Sequence, residues 1–340
     1  MADPIVHGGN LHEASQRYGI PYAQWLDLST GINPHGYPVP PVPADAWRRL
    51  PDEGDGLAAC AAHYYGAPDT RHVLPVAGSQ AAIRALPVLL PRATVAIAPL
   101  TYSEYAPAFE RAGHRIVPLD IACDGLPDDV THAVVVNPNN PTADHLGAAK
   151  LLQWHTQLRA RGGTLVVDEA FADAMPQASS LASCTDRPAL VVLRSPGKFF
   201  GLAGVRAGFV LGDPALLGRL REVLGAWTVS GPARHAVNAA FTDLAWQNQM
   251  RAQLAAQSAR LNSLLQAQRF SLHSTPLFAW TDDPRAAALH HELALRGIWT
   301  RLFPASASVR FGLPGSGHEW VRFEQGLREG VHAIEAARVG

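Results

Sequence analysis

The sequence predicts an α/β fold: a large domain whose mostly parallel sheet is covered by helices, followed by a small C-terminal α+β domain. Three observations predict it. Between residues 55 and 213, apolar runs such as TVAIA (94–98), HAVVV (132–136), TLVVD (164–168) and LVVL (190–193) alternate with helical stretches. The runs lack polar alternation, which marks strands buried on both faces. After residue 213 the pattern changes to nearly continuous helix and then to a short mixed region.

In chain order, residues 1–43 form an arm and spacer. The arm holds one helical piece (LHEASQRYG) and ends in PVPPVP, an extended spacer. A segment this long without its own core must lie on the domain body or on a partner subunit. Residues 44–230 make the large domain. LAACAAHYYG is a helix ending at Gly66, RHVLPVA a strand leading into the helix of GSQAAIRALPVLL, and SEYAPAFERAG (103–113) another helix. RIVPLD is a strand, AAKLLQWHTQLRARGG a helix closed by Gly162, and VRAGFV (205–210) a strand. Residues 231–340 make a bridging helix, interrupted near SGP (230–232), and the small domain.

Composition narrows the function. The 340 residues are 47% hydrophobic and 17% charged, enough for a sizeable core. A net charge of −1 argues against nucleic acid or an anionic membrane as partner. No run reaches the length of a membrane span, and the N-terminus has no cationic-then-apolar leader. Cys60, Cys123 and Cys184 have neither metal nor redox spacing, so no metal is expected, and the low odd count fits a reducing, cytoplasmic setting.

Four features fall at strand carboxyl ends, where sheets of this class bind ligands. Gly78, Ser79 and Gln80 stand where a helix begins, so backbone N–H groups and the helix dipole can hold a phosphate. NPNNPT (137–142) follows AVVV; its two Asn-Pro pairs fix a tight turn, and an Asn amide there can donate to a phenolate-like oxygen. Asp168 ends an apolar strand, where a buried carboxylate needs a cation. Ser195, Lys198 and Arg206 share one loop: the hydroxyl and guanidinium can clamp a phosphate while the amine reaches an aldehyde. Taken singly, each has an ordinary structural reading as a helix start, a turn, a capping residue or a surface charge.

Together and in this order, NPNNPT, DEAF and SPGK with an arginine eight residues on resemble the fold-type I pyridoxal-phosphate enzymes, the aminotransferase class I/II superfamily, from about residue 27 to the C-terminus. The resemblance implies pyridoxal 5'-phosphate as cofactor. It implies that Lys198 is the Schiff-base lysine and proton shuttle, and that Asp168 is the partner of the protonated ring nitrogen. It implies that Asn140 donates to the cofactor's 3'-oxygen, that Tyr102 stacks on the ring, and that Gly78, Ser79, Gln80, Ser195 and Arg206 form the phosphate cup. Three departures stand out: Phe171 replaces a common tyrosine beside the 3'-oxygen, Leu50 a tyrosine that reaches a neighbouring subunit, and Ala143 a glycine. Homodimerisation is a family property and is expected here.

The arm narrows the substrate. HGGN (7–10) and LDLSTGINPHGYP (26–38) resemble the L-threonine-O-3-phosphate decarboxylases of cobalamin biosynthesis more than the histidinol-phosphate aminotransferases. That resemblance implies a small phosphorylated amino acid held by His7, Gly8, Gly31, Asn140, Arg301 and Arg310, with Gly31 lacking a side-chain contact that an asparagine would make. Two alternatives stay open: an aminotransferase of a phosphorylated amine such as histidinol phosphate, and a non-catalytic binding or assembly protein. The presence of both Lys198 and Asp168 argues against the second.

Overall fold

The structure is a computed structural model and describes residues 7–175 and 180–339, so residues 1–6 of the arm lie outside it. The chain opens with α1 (Leu11–Tyr18) and the two-residue strand β1 (Leu26–Asp27). Then follow α2 (Ala44–Arg48), α3 (Leu57–Tyr65), β2 (Val73–Val76), α4 (Ser79–Ala85), β3 (Thr94–Ile97), α5 (Tyr105–Arg111) and β4 (Arg115–Pro118). Next come β5 (His132–Val136), α6 (Ala148–Ala160), β6 (Leu165–Asp168), β7 (Leu190–Arg194), β8 (Gly208–Gly212), α7 (Pro214–Leu224) and α8 (Gly231–Thr242). The last part holds α9 (Leu244–Ala267), β9 (His273–Thr275), β10 (Phe278–Asp282), α10 (Ala286–Leu295), β11 (Ile298–Trp299), β12 (Arg301–Phe303), β13 (Ser308–Gly312) and α11 (Gly317–Val339).

Two compact units result: residues 36–140 with 144–248, and residues 1–35 with 141–143 and 249–340. The larger carries the expected sheet, seven strands in the order β2-β8-β7-β6-β5-β3-β4. All neighbours are parallel except β8, which runs against both β2 and β7. Strands β5 to β8 are buried at every residue because helices cover both faces. On one face Ile83, Phe109 and Leu217 from α4, α5 and α7 meet Val95, Val134, Val166, Val191 and Val210. On the other, Phe209 packs against Tyr65 of α3 and Phe241 of α8, at 5.6 and 5.5 Å between ring centroids. Adjacent residues of β8 thus feed opposite faces, and each buried aromatic contributes roughly 1.5–3 kcal/mol.

The punctuation has local causes. Gly66 and Gly162 stand in left-handed backbone just past α3 and α6, as expected. The break at SGP is a helix start: Ser230 caps α8 by accepting from the Ala233 amide, with Pro232 in the first turn.

The smaller unit holds a four-stranded antiparallel sheet, β12-β13-β10-β9, and a two-stranded parallel pair of β1 and β11. The arm therefore joins the C-terminal residues of the sequence: Leu26 and Leu28 donate to the carbonyls of Gly297 and Trp299, and Gly312 donates to that of Leu28.

Ala143 has φ +62°, left-handed backbone at a residue with a Cβ. The glycine usual in this position has no such strain. Ala143→Gly is expected to stabilise the protein by about 0.5–1.5 kcal/mol, read as a higher denaturation midpoint; the relieved strain outweighs the added freedom of the unfolded chain.

Candidate active site

In the larger unit, every strand-end feature singled out from the sequence sits at the same end of the sheet. Parallel strands β5, β6 and β7 deliver the residues at or just past their carboxyl ends, namely Asn140, Asp168 with Phe171, and Ser195 with Lys198. Strand β8 delivers the residue that precedes it, Arg206, because it runs the opposite way. A reversed strand begins where its neighbours end, so Arg206 reaches the start of α4.

Lys198 is half-buried on a turn closed by the main chain: its N–H donates to the Ser195 carbonyl at 3.3 Å, and Phe200 N–H to that of Pro196 at 3.0 Å. The next two residues, Phe199 and Phe200, are fully buried, and Phe200 stacks on Trp246 at 5.5 Å. The amine lies 5.8 Å from the Phe171 ring centroid. The sequence contains just two lysines. The other, Lys150, donates to the Ile121 carbonyl at 2.8 Å.

Asp168 is 3% exposed. Its Oδ2 accepts from the Tyr105 hydroxyl at 2.7 Å and its Oδ1 from the Ala170 amide at 2.9 Å. Burial nevertheless raises its pKa, against the pull of these two donors and of the Lys198 charge. Tyr105 was not singled out from the sequence, although TYSEY spaces it three residues after Tyr102, and the two rings meet edge-on at 6.2 Å.

Tyr102 donates to Gln80 Oε1 at 2.9 Å, tying the expected stacking ring to the start of α4. Burial first, then Glu104 and Asp168, push its pKa up to about 12, so the hydroxyl stays protonated. At Gly78, φ is +76° and a Cβ would lie 2.9 Å from Arg206 Nη2; at Gly208 a Cβ would lie 2.5 Å from the Ser79 nitrogen. Both glycines let the Arg206 loop and the first amides of α4 close on one another. In the NPNNPT turn, which has a cis Asn137–Pro138 bond, Asn137 and Asn139 hold the loop. Asn137 exchanges two bonds with Leu146, and Asn139 bonds Leu100 and Thr101. Asn140 is half-buried.

Behind these residues lies an ion triad not foreseen from the sequence. Arg194, the last residue of β7, bonds Glu169 at 2.5 Å and also Asp173, all three buried. Its guanidinium lies 4.5 Å from the Tyr65 ring centroid. Burial works against the charge, and Asp173 and Glu169 outweigh it, raising the pKa.

The smaller unit gathers the residues expected to bind anions. Arg310 on β13 is buried and donates from Nη2 to the Ser29 carbonyl at 2.7 Å. Burial and then the Arg301 charge lower its pKa to about 10. Arg301 stands directly opposite Arg310 in the antiparallel β12–β13 pair, and two arginines so placed favour an anion between them. Gly8 and Gly9 rest on Ser29 and Thr30, His7 precedes them, and Gly31 is buried two residues beyond Ser29.

The family model for aminotransferase class I and II matches residues 53–320. The chain belongs to that family. It is 49% identical to a threonine-phosphate decarboxylase of Pseudomonas aeruginosa over 96% of this chain and 99% of that protein. It is 42% identical to another of that name from Sinorhizobium sp, over 92% and 94%. In fold it is similar to the histidinol-phosphate aminotransferase of Sinorhizobium meliloti in complex with pyridoxal-5'-phosphate, with TM-score 0.81 and 19% identity over 97% and 96% of the chains.

The residues present fit the family's cofactor. Asp168 is a buried carboxylate whose neutral donors and nearby amine do not offset its desolvation, and a protonated ring nitrogen supplies the missing cation. The Gly78–Ser79–Arg206 cradle, which a Cβ would obstruct, suits a phosphate. Asp168→Asn tests the first match. A carboxylate with a raised native pKa loses folding stability as pH climbs past the unfolded value of about 3.9. The cofactor-free variant is therefore expected to melt above the wild type, by a margin that grows from acid to neutral pH. Its gain in Tm on adding pyridoxal phosphate should shrink, with affinity down about tenfold or more.

Proposed function

We propose that this protein decarboxylates L-threonine O-3-phosphate with pyridoxal 5'-phosphate, giving (R)-1-amino-2-propanol O-2-phosphate and CO₂ in cobalamin biosynthesis. The observation that carries the reading is the pairing of Arg301 and Arg310 beside the glycine arm, where burial first and then the Arg301 charge lower Arg310's pKa. A dianionic substrate phosphate supplies the charge that this pair favours. The relatives named for this activity, matched over nearly their whole length, support it.

When bound, the cofactor would supply an electron sink for the pair left when a bond at the substrate's Cα breaks. The chain's residues choose that bond. Arg301, Arg310, His7 and the Gly8 backbone would hold the phosphate and so fix which Cα bond is presented for cleavage, which is positioning rather than new chemistry. The Lys198 ammonium gives a proton to Cα in place of the departing CO₂. Asp168 would keep the ring nitrogen protonated, Asn140 would donate to the 3'-oxygen, and Tyr102 would pack on the ring. Gly78, Ser79, Gln80, Ser195 and Arg206 hold the cofactor phosphate. Phe171, in place of a tyrosine, leaves the 3'-oxygen with one donor fewer.

We also propose a cytoplasmic homodimer. Free Cys60, Cys123 and Cys184 support a reducing compartment. Exposed Trp47, Leu50 and Trp227 support docking of a second copy; the Trp227 amide bonds Glu53, close in sequence to Leu50. Sedimentation at a dimer's mass checks this.

The deciding experiment supplies O-phospho-L-threonine to the cofactor-loaded protein and counts CO₂ against product amine. One CO₂ per amine, with no need for a 2-oxo acid, is expected. Amino transfer to 2-oxoglutarate without CO₂ overturns the reading in favour of an aminotransferase.

A further inference from the structure

We propose that Ser29 is a positioning residue that latches the N-terminal arm to Arg310, and that this latch lets the protein select a phosphorylated amino acid over its unphosphorylated counterpart. The proposal rests on the substrate reading above.

Ser29 is fully buried, and its polar atoms join three parts of the smaller unit. Its N–H and its hydroxyl both donate to Asp27 Oδ1, at 2.9 and 2.6 Å. Its Oγ accepts from the Gly9 amide at 2.7 Å, and its carbonyl accepts from Arg310 Nη2 at 2.7 Å. A hydroxyl has one proton and two lone pairs. Asp27 takes the proton, so the lone pairs are left for the arm. Gly8 rests on the same carbonyl that Arg310 uses: a Cβ there would lie 2.4 Å from the Ser29 oxygen.

The platform beneath is firm. Leu28, next to Ser29, is bonded to Trp299 on β11 and Gly312 on β13. On the arm side, Asn10 caps α1 by accepting from the Glu13 amide, so the Gly9 bond lies where the helix is launched. An arginine fork is rigid and planar, so fixing Nη2 on the Ser29 carbonyl orients the whole guanidinium. Arm and guanidinium are thus set by opposite ends of one residue. Loss of the hydroxyl frees the arm directly and the arginine indirectly.

Two variants test the latch in the cofactor-loaded protein. Ser29→Ala removes the acceptor for Gly9. Gly8→Ala pushes the arm off the Ser29 carbonyl while leaving β1 and Asp27 intact, and carries the test if Ser29→Ala folds poorly. Hydrogen exchange over residues 7–18 reads the arm, and the cofactor's absorbance change on titration reads binding of O-phospho-L-threonine and L-threonine. The expected result is faster exchange in the arm, about tenfold weaker binding of the phosphorylated ligand, and binding of L-threonine within about twofold of wild type. Unchanged exchange, or equal weakening of both ligands, overturns the latch. A wild type that does not distinguish the two ligands overturns the substrate reading and the latch with it. A wild type that distinguishes them, with variants that still do, overturns the latch alone.

Discussion

Lys198→Ala is expected to lower turnover by about 10³-fold or more while leaving a folded protein. The turn that carries the amine is closed by main-chain bonds and anchored by Phe199 and Phe200, so losing the side chain leaves its support in place. What is lost is the amine beside Phe171 at the strand ends; the other lysine, Lys150, lies on α6 and donates to the Ile121 carbonyl. Borohydride reduction followed by intact mass gives a direct check. Wild type should gain the mass of one cofactor, and the variant none. A variant that is still labelled transfers the role to Lys150.

Arg194→Met is expected to cost about 3–5 kcal/mol, because it removes the buried guanidinium that two buried carboxylates share. Glu169 and Asp173 face the guanidinium directly, and Glu169 also accepts from Ser180 and the Leu181 amide. The triad therefore ties the residues flanking Asp168 and Phe171 to the strand that carries Ser195. Thermal melting should fall by roughly 5–10 °C. Neutralising the acids as well, in Arg194→Met with Glu169→Gln and Asp173→Asn, should recover most of the loss, since the cost lies in the buried charges. A triple variant as unstable as the single one assigns the cost to packing instead.

The sheet was legible because strands β5 to β8 are buried on both faces and read as unbroken apolar runs. The residues proposed to hold the cofactor could be grouped because topology sends strand ends to one place, so order along the chain stands in for proximity. The Arg194 triad was not. Reading LVVL as the strand stops one residue short of the arginine, and no periodicity links it to Glu169 and Asp173. Tyr105 was masked by the apolar helix in which it lies. The arm's docking was also hidden: β1 and β11 pair through two residues each, too few to show a pattern, and the partners lie at opposite ends of the sequence. Ser29 falls under the same blindness, since its importance comes from Gly9 and Arg310 meeting on it.

The reversed strand β8 also bears on how the protein assembles. Its pairing with β7 spans the shortest stretch of chain between any two joined strands of the large sheet, and being antiparallel it needs no crossover helix. Short-range pairing loses little chain entropy on closing, so it forms early. The segment from Leu190 to Gly212, with Lys198 at its bend, should be protected in pulse-labelling before β3 and β4. Lys198 would then be in its turn before the long-range closure of β2 onto β8 brings Gly78 against Arg206, making that close approach one of the last parts of the fold to form.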